Sequence, residues 1–335
     1  MSEYSERLEQ ERARFDADLC VHDLPAIFHY WANAYPRVML NTHGYDNIVD
    51  FFVIEMAGWI ESAGRPLRAV SVGAGDCAHE IDVAKGLLAR GSEDFSILCL
   101  DISEGALGRA GDAIHAQGLE GRVATMVHDF NQGLPDGDFD VVIANQSLHH
   151  VVELERLFDS VVERIGDDGC FLISDTIGRN GHLRWPEAME LVEQAWQWMP
   201  PRYRYNHRLQ RQEDQFLDWD CSQEGFEGIR AQDILPLLLE RLQPSVFLAW
   251  GNIIDVFIDR GFGHHFRQQS EWDLHFIDRV QAMDHAAITS GRISPTHMLA
   301  RFQKTVQGCV HDVGVGPYEA LRRPEARPTD PGFGA

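Results

Sequence analysis

The sequence predicts an α/β protein built on a mostly parallel sheet with helices on both faces. Short apolar runs alternate with amphipathic stretches from residue 68 onward, which is the pattern of β–α–β units with right-handed crossovers. The first run breaks into a glycine turn at residues 73–75, and the second ends at Asp101. In an open α/β sheet, ligands bind in this position, outside the carboxyl ends of the strands.

Seven apolar runs predict seven strands. They are residues 69–72, 96–100, 123–127, 139–144, 170–174, 245–250 and 297–302. Helices are predicted between them, and the one over 154–165 has the clearest apolar face. Ser103 is placed to cap a helix that continues to about residue 117. Further helices are expected over 78–90, 186–199 and 223–241.

The organisation of the chain divides into four parts. Residues 1–66 are predicted to form an N-terminal helical segment, and 67–176 with 243–306 the sheet core. Residues 177–242 interrupt the alternation as a helical insertion after the fifth strand. Residues 307–335 are rich in proline and glycine and are predicted to be a loosely attached tail.

Charge and hydropathy narrow the class of partner. The net charge is −23, with 52 acidic residues and two lysines, Lys85 and Lys304, so a nucleic acid would be repelled over most of the surface. No run approaches the roughly 18 apolar residues of a membrane span. The N-terminus is polar and the six cysteines are scattered. We therefore expect a cytoplasmic protein with reduced thiols that binds neither nucleic acid nor membrane.

The glycine turn is the main candidate for ligand binding. Gly73 and Gly75 can take positive φ and let a ligand lie against the backbone. Residues 73–78 also fit the G-x-G-x-x-A dinucleotide fingerprint, so the loop alone is compatible with NAD.

Several motifs together resemble a class I S-adenosylmethionine-dependent methyltransferase of the small-molecule type. Residues 70–75 resemble the first motif of that family, Asp101 the second, residues 128–130 the third, and residues 145–150 the segment after the fourth strand. Ser71 stands where the family usually has an acidic residue, and Cys77 where it commonly has a third glycine. The resemblance implies a Rossmann-like seven-stranded sheet, methyl transfer by in-line displacement, and S-adenosylmethionine as cofactor.

The resemblance also implies which residues bind the cofactor. A carboxylate at the end of the second strand can accept hydrogen bonds from both ribose hydroxyls. Asp129 can accept from the adenine amino group while Phe130 covers the ring, and Asn145 lies near the methionine end. The full implied set is Gly73, Ala74, Gly75, Asp101, Ile102, Asp129, Phe130 and Asn145.

Two alternative functions share these features. A nicotinamide-dependent oxidoreductase uses the same glycine loop and acidic residue, although no tyrosine here has a lysine four residues on, as a short-chain dehydrogenase requires. A non-catalytic protein that binds S-adenosylmethionine is the other alternative.

The acceptor side is predicted from position. His149 and His150 follow the fourth strand, and we expect one of them to act as the base if the acceptor must lose a proton. With the acidic surface, the absence of an Asn-Pro-Pro-Tyr type motif favours a small metabolite whose reacting atom is O, N, S or C.

The N-terminal helices and the insertion are expected to roof the acceptor pocket. The candidate contacts there are Tyr30, Trp31, Arg37, Tyr203, Tyr205, His207, Trp219, Asp220, Glu224 and Arg230. No metal site is expected, because H-E-x-x-H is absent and adjacent histidines point in different directions. The apolar N-terminal segment could serve a homodimer as well as a lid.

Overall fold

Seven strands pair into one sheet in the order β3-β2-β1-β4-β5-β9-β8. The structure is a computed structural model that describes residues 3–16, 24–223 and 225–322. The strands of the sheet are β1 (Leu67–Val72), β2 (Phe95–Asp101), β3 (Val123–Val127), β4 (Phe139–Asn145), β5 (Ile165–Thr176), β8 (Gln243–Trp250) and β9 (His297–Gln303). A separate two-stranded hairpin comprises β6 (Tyr205–Asn206) and β7 (Arg211–Gln212). Only β9 runs antiparallel to its neighbours in the large sheet, so the mostly parallel seven-stranded α/β fold is confirmed.

Helices cover both faces of the sheet. They are α1 (Glu3–Asp16), α2 (Ala26–Ala34), α3 (Pro36–Thr42), α4 (Ile48–Ala63), α5 (Ala78–Ala89), α6 (Glu104–Ala116), α7 (Leu154–Arg164), α8 (Pro186–Trp198), α9 (Ala231–Arg241), α10 (Asp255–Ile258) and α11 (Glu271–Thr289). The described helices include none that is both long and apolar enough to span a membrane.

The strands alternate their side chains between two apolar cores. In β4, Val142 and Ala144 face the core shared with α2 and α7–α11, whereas Val141 and Ile143 face the core under α4, α5 and α6. All four of these side chains are fully buried. A sheet buried on both faces needs apolar residues at successive positions, which explains why its strands read as continuous apolar runs in the sequence.

The helical N-terminal region is divided by local signals. Pro36 occupies the first turn of α3, and Asn47 caps α4 by accepting a hydrogen bond from the Asp50 N–H at 3.0 Å. The predicted N-terminal helical lid, residues 1–66, includes residues 1–2 and 17–23, which lie outside the described part of the chain. The four-part domain division stays a prediction.

Two elements differ from the sequence prediction. The helix expected over 223–241 begins only at Ala231, because Gly225 and Gly228 take φ of +70° and +65°, which an α-helix cannot contain. Strand β5 extends to Thr176 and thereby includes Asp175, which the prediction placed beyond the strand. Both differences matter for the site, since they place residues 225–230 and Asp175 beside the end of β4.

One edge of the sheet gathers the carboxyl ends of the central strands. Val72 pairs in register with both Leu100 and Ala144, and Asn145 pairs with Ser174. The loops that follow β1, β2, β4 and β5 therefore meet at this edge, which is where an open α/β sheet binds its ligand.

Candidate active site

The glycine loop after β1 adopts a conformation that excludes larger residues. Gly73 and Gly75 have φ of +68° and +55°. A Cβ on Gly73 would lie 2.6 Å from the Ser147 Cβ and 3.7 Å from the Phe130 Cε1. The Gly73 and Ala74 N–H groups both donate to the Leu100 carbonyl, at 2.9 and 3.0 Å. The loop is thus fixed by backbone bonds and brought into contact with the segment after β4.

Asp101 ties this loop to the end of β2. Its Oδ2 accepts a hydrogen bond from the Gly75 N–H at 2.8 Å, and its Oδ1 accepts from the Ser103 N–H at 2.9 Å. Burial raises the pKa of Asp101, although these two backbone donors oppose the shift. Ile102, beside it, is also buried. Each carboxylate oxygen has a second lone pair, so Asp101 can order the loop and still accept from a ligand.

Asp129 and Phe130 lie at the end of β3, on the same side. The Asp129 Oδ1 accepts from the backbone and side-chain N–H groups of Asn131, both at 3.0 Å, and so begins a single 3₁₀ turn. Phe130 is buried against the glycine loop. The arrangement presents an aromatic ring and a partly exposed carboxylate next to the turn.

The segment after β4 closes the other side of the loop. Asn145 is the partly buried last residue of β4. Gln146 takes a φ of +53°, and its N–H donates to the Ser174 carbonyl at 2.7 Å. The buried hydroxyl of Ser147 has no hydrogen-bond partner within the described residues. Because the Ser147 side chain abuts Gly73, a polar ligand in the loop would meet it.

We call the glycine loop, Asp101, Asp129, Phe130, Asn145 and Ser147 the cofactor edge. Ser147 was not selected from the sequence, although it belongs to the motif of residues 145–150.

Ser71 stands in the first motif where an acidic residue is usual, and helix α5, which follows the glycine loop, places a carboxylate beside it. The Ser71 hydroxyl donates to the Glu80 Oε1 at 2.6 Å, and Glu80 is 2% exposed. Its Oε2 has no hydrogen-bond partner in the described structure. Burial raises the pKa of Glu80 to about 7. Cys77, at the other departure from the motif, takes a φ of +59° at the start of α5.

His149 is held by a buried aspartate. Its Nδ1 lies 2.6 Å from the Asp175 Oδ1, and both side chains are buried. The Asp175 Oδ2 also accepts from the Ser147 and Leu148 N–H groups, at 2.9 and 2.7 Å. An ionised carboxylate can only accept, so Nδ1 of His149 carries the proton in this pair. In the neutral ring, Nε2 then carries a lone pair that points away from Asp175.

Glu227 faces that nitrogen and two further histidines. Its Oε1 lies 3.6 Å from the His149 Nε2 and 2.8 Å from the His182 Nε2, while its Oε2 lies 3.8 Å from the His150 Nε2. The His149 and His150 ring centroids are 4.4 Å apart, and those of His149 and His182 are 5.3 Å apart.

The N-terminal helix completes this group. Glu11 is buried on α1, and its Oε1 lies 2.8 Å from the His150 Nδ1. Five residues further on, the Asp16 Oδ1 accepts from the Ser103 hydroxyl at 2.6 Å and from the Gly105 N–H at 3.0 Å. Helix α1 therefore bridges the start of α6, beside the cofactor edge, and the histidines. We call His149, His150, His182, Glu11, Asp175 and Glu227 the histidine–carboxylate cluster.

The charges of the cluster shift the protonation of its members. Burial opposes ionisation of Asp175, but His149 and the backbone N–H donors together outweigh it, and the pKa of Asp175 is lowered. Burial likewise opposes the charge on Glu227, yet the hydrogen bond from His182 and the proximity of His150 hold its pKa well below the usual range. Burial lowers the pKa of His182. Burial lowers the pKa of His149, but Asp175, Glu227 and Glu11 together outweigh it, so that the pKa is raised.

Most residues predicted to contact the acceptor are engaged by other residues of the fold. Tyr30 donates to Asp278 and Tyr203 donates to Asp273, both at 2.8 Å. The surroundings of the seven other described candidates are as follows. The Trp31 indole donates to Gln281, Arg37 pairs with Asp46, and Arg230 makes a two-pronged pair with Glu155. The Tyr205 ring packs against His207, which also lies by His264 and His265. Asp220 accepts from the Ser222 hydroxyl, and Trp219 is 40% exposed. Glu224 lies outside the described residues. These substrate contacts stay predictions.

Comparison with known proteins agrees with the fold. Residues 71–173 match the family model described as a methyltransferase domain. A search of curated protein sequences finds no significant match.

Similar solved structures include an O-methyltransferase from a trans-AT polyketide synthase multienzyme of Brevibacillus brevis in complex with S-adenosyl-L-homocysteine. The two chains are 12% identical, the match covers 81% of this chain and 80% of that one, and the TM-score is 0.44. An S-adenosylmethionine-dependent methyltransferase from Mesorhizobium loti is 14% identical, with 71% and 91% covered and a TM-score of 0.40. Geranyl diphosphate C-methyltransferase from Streptomyces coelicolor A3(2) is 11% identical, with 75% and 79% covered and a TM-score of 0.42.

The family match selects methyl transfer over the nicotinamide-dependent alternative. It begins at Ser71, in β1, and ends in β5, so it includes the glycine loop, Asp101 and the segment after β4. The residues at the cofactor edge fit the group that such a domain binds, because the space beside Gly75 is open and Ser147 offers an unpartnered hydroxyl within the described residues. The chain carries a methyltransferase domain and is an S-adenosylmethionine-dependent methyltransferase.

Proposed function

We propose that the protein methylates a small-molecule acceptor bound between the cofactor edge and helix α1, at the histidine–carboxylate cluster. The observation that carries the proposal is that three histidines and three carboxylates converge around His149. His149 lies only two residues after Ser147, which contacts the glycine loop. The net charge of −23 supports a small acceptor over a nucleic acid.

The cofactor edge would hold S-adenosylmethionine, which supplies the methyl group when bound. Residues 73–75 would lie against its methionine end, Asp101 and Ile102 at the ribose, and Asp129 and Phe130 at the adenine. Ser147, two residues beyond β4, contacts the same loop, and Asn145 at the end of β4 would lie near the methionine end. Support comes from the positive φ of both glycines and from the second lone pairs of the Asp101 oxygens.

His149 is the residue that we place at the acceptor. Asp175 fixes its ring and tautomer, which leaves the Nε2 lone pair on the side away from Asp175, towards Glu227. An acceptor that must lose a proton would lose it beside this atom. His150 is the second candidate, since its ring lies against His149 and its Nδ1 contacts Glu11.

The experiment uses S-adenosylmethionine labelled in its methyl group, incubated with the purified protein and a cell extract that is then separated into small molecules, nucleic acid and protein. We expect label in the small-molecule fraction, lost in the His149→Ala variant. His115→Ala is the matched control, because the His115 side chain is 82% exposed. Label that enters nucleic acid or protein instead would overturn the proposal.

A cytoplasmic location and a homodimer remain predictions from the sequence. Analytical ultracentrifugation of the purified chain tests the second.

A further inference from the structure

We propose that His149, His182 and Glu227 bind a divalent first-row transition-metal ion, with Zn²⁺ the ion that this donor set fits best. The acceptor would then be a molecule with an oxygen donor, such as a hydroxyl or carboxylate, that reaches an open position on the ion. The statement about the acceptor rests on the proposed function, whereas the statement about the ion does not.

The three ligand atoms already lie at coordination spacing. A nitrogen of each histidine and a Glu227 carboxylate oxygen all lie within 4.8 Å of one another. Tetrahedral zinc with bonds of about 2.0–2.2 Å separates its ligands by roughly 3.3 Å. The distance of 3.6 Å between the His149 Nε2 and the Glu227 Oε1 is close to that value. The 2.8 Å from His182 to Glu227 needs to lengthen by about half an ångström, which a rotation of the Glu227 carboxylate supplies.

The ring of His149 is held as a metal ligand requires. Metal-bound histidines commonly donate their other N–H to a carboxylate, which fixes the tautomer and raises the basicity of the ligating nitrogen. Asp175 is fully buried and accepts this bond from the His149 Nδ1. It also accepts from three backbone N–H groups, of Ser147, Leu148 and Thr176, so its own position is fixed.

Backbone bonds hold the three ligand segments together. The Ile229 N–H donates to the His149 carbonyl at 3.1 Å, and the Gly181 N–H donates to the Gly228 carbonyl at 2.8 Å. Glu227 is next to Gly228, and His182 is next to Gly181. Residues 227–229 are therefore bonded both to the segment that carries His149 and to the segment that carries His182. At Gly228, a Cβ would lie 3.2 Å from the His182 Cε1, so the two segments are in close contact at this glycine.

Burial and charge suit a cation. The side chains of His149, His182 and Glu227 are 7%, 24% and 21% exposed, so the site is sheltered yet reachable. Two imidazoles and one carboxylate are the donor set of several catalytic zinc sites, which leave at least one position open. His150 lies 3.8 Å from the second Glu227 oxygen and is placed to orient that carboxylate.

A bound ion changes how the acceptor would lose its proton. The Nε2 lone pair of His149 would be occupied by the ion, and an acceptor oxygen coordinated to the ion would have its pKa lowered. The role of His149 would then be that of a ligand, so direct proton transfer to His149 and metal binding lead to different experimental results.

The test measures metal binding itself. The full chain, without an affinity tag, is stripped with a chelator, titrated with Zn²⁺ against a chromophoric competitor, and assayed for metal content. We expect about one ion per chain, with affinity reduced at least about tenfold in His182→Ala and in Glu227→Gln. Asp175→Asn should weaken binding about 10- to 100-fold by releasing the His149 ring. His115→Ala serves as the control.

Binding of S-adenosylmethionine and thermal unfolding are measured for each variant, to establish that the variants fold. Wild-type protein that takes up no ion, or folded Glu227→Gln protein that binds Zn²⁺ as tightly as wild type, would overturn the inference. Methyl transfer to a small molecule by metal-free protein at the rate of the metal-loaded protein would leave the proposed function standing and overturn the role of the ion at the acceptor. A bound ion together with label in nucleic acid or protein would leave the metal site standing and overturn the proposed function.

Discussion

The cofactor edge and the histidine–carboxylate cluster meet at Ser147 but are built in different ways. Backbone geometry determines the first, since Gly73 and Gly75 take positive φ and Asp101 accepts from backbone N–H groups. Side chains from α1, β5 and the loops around residues 149, 182 and 227 determine the second. The backbone-built edge is common to many nucleotide-like sites, whereas the side-chain cluster is where acceptor chemistry can differ from one enzyme to another.

This difference predicts that the two regions can be damaged separately. Substitutions at the cofactor edge should weaken S-adenosylmethionine binding, and substitutions in the cluster should slow methyl transfer with the cofactor still bound.

The largest effect is expected from His149→Ala. Removal of the ring eliminates the group that we propose to face the acceptor and that Asp175 orients, and general bases contribute about 10²- to 10⁴-fold to rate. The rate of methyl transfer is measured under single-turnover conditions with saturating S-adenosylmethionine. An unchanged rate would remove His149 from the chemistry.

Gly73→Ala should be the next most damaging change. The added Cβ would meet the Ser147 Cβ at 2.6 Å in a backbone with φ of +68°. Left-handed strain and overpacking together cost about 2–4 kcal/mol, which is roughly a 30- to 1,000-fold loss of cofactor affinity if the loop must open. Gly108→Ala is the control, because α6 has open space there. Equal affinity in both variants would show that the loop does not bind the cofactor closely.

A pH-dependent effect is expected beneath the cofactor edge. The pKa of Glu80 is raised to about 7 by burial, so the folded state binds its proton more tightly than the unfolded state does. Its contribution to stability is therefore full below about pH 4.5 and is lost as the pH rises through 7, by up to about 3 kcal/mol. Glu80→Gln lacks this loss.

The measurement is the free energy of unfolding of wild type and Glu80→Gln at pH 5 and pH 8. The advantage of Gln should grow with pH, while Asp82→Asn, whose side chain is 59% exposed, should show no such trend. A constant difference between wild type and Glu80→Gln would mean that Glu80 titrates normally.

The smallest effect is expected on helix α1. Glu11→Gln removes the charge that faces His150 and keeps a neutral hydrogen bond, at a cost of about 1 kcal/mol. Amide hydrogen exchange in α1 should accelerate about fivefold. Glu9→Gln, on the exposed side of the same helix, should leave exchange unchanged. If both variants exchange like wild type, Glu11 does not hold α1 in place.

The sequence predicted the sheet closely because local patterns determine it. The apolar runs, Ser103 as a helix cap and Gly73 and Asp101 at strand ends are all visible within short windows. The cluster is different, since His182 and Glu227 meet His149 only through the packing of segments 33 and 78 residues away. No short sequence pattern predicts that these three residues come into contact.

Individual residues show the same limit. Tyr30, Tyr203 and Arg230 are plausible pocket residues by type, but each is engaged by a carboxylate of the fold. Ser71 stands where an acidic residue is usual, and Glu80, on the following helix α5, supplies a carboxylate beside it. A motif that covers only one strand does not include this residue.

Calorimetric titration of S-adenosylmethionine into Asp101→Asn and His149→Ala tests most directly whether the two regions have separate roles. We predict an affinity reduced about 10- to 100-fold in Asp101→Asn, because the cofactor loses a charged acceptor, and an affinity within about twofold of wild type in His149→Ala. Equal losses in the two variants, or a loss only in His149→Ala, would contradict the account.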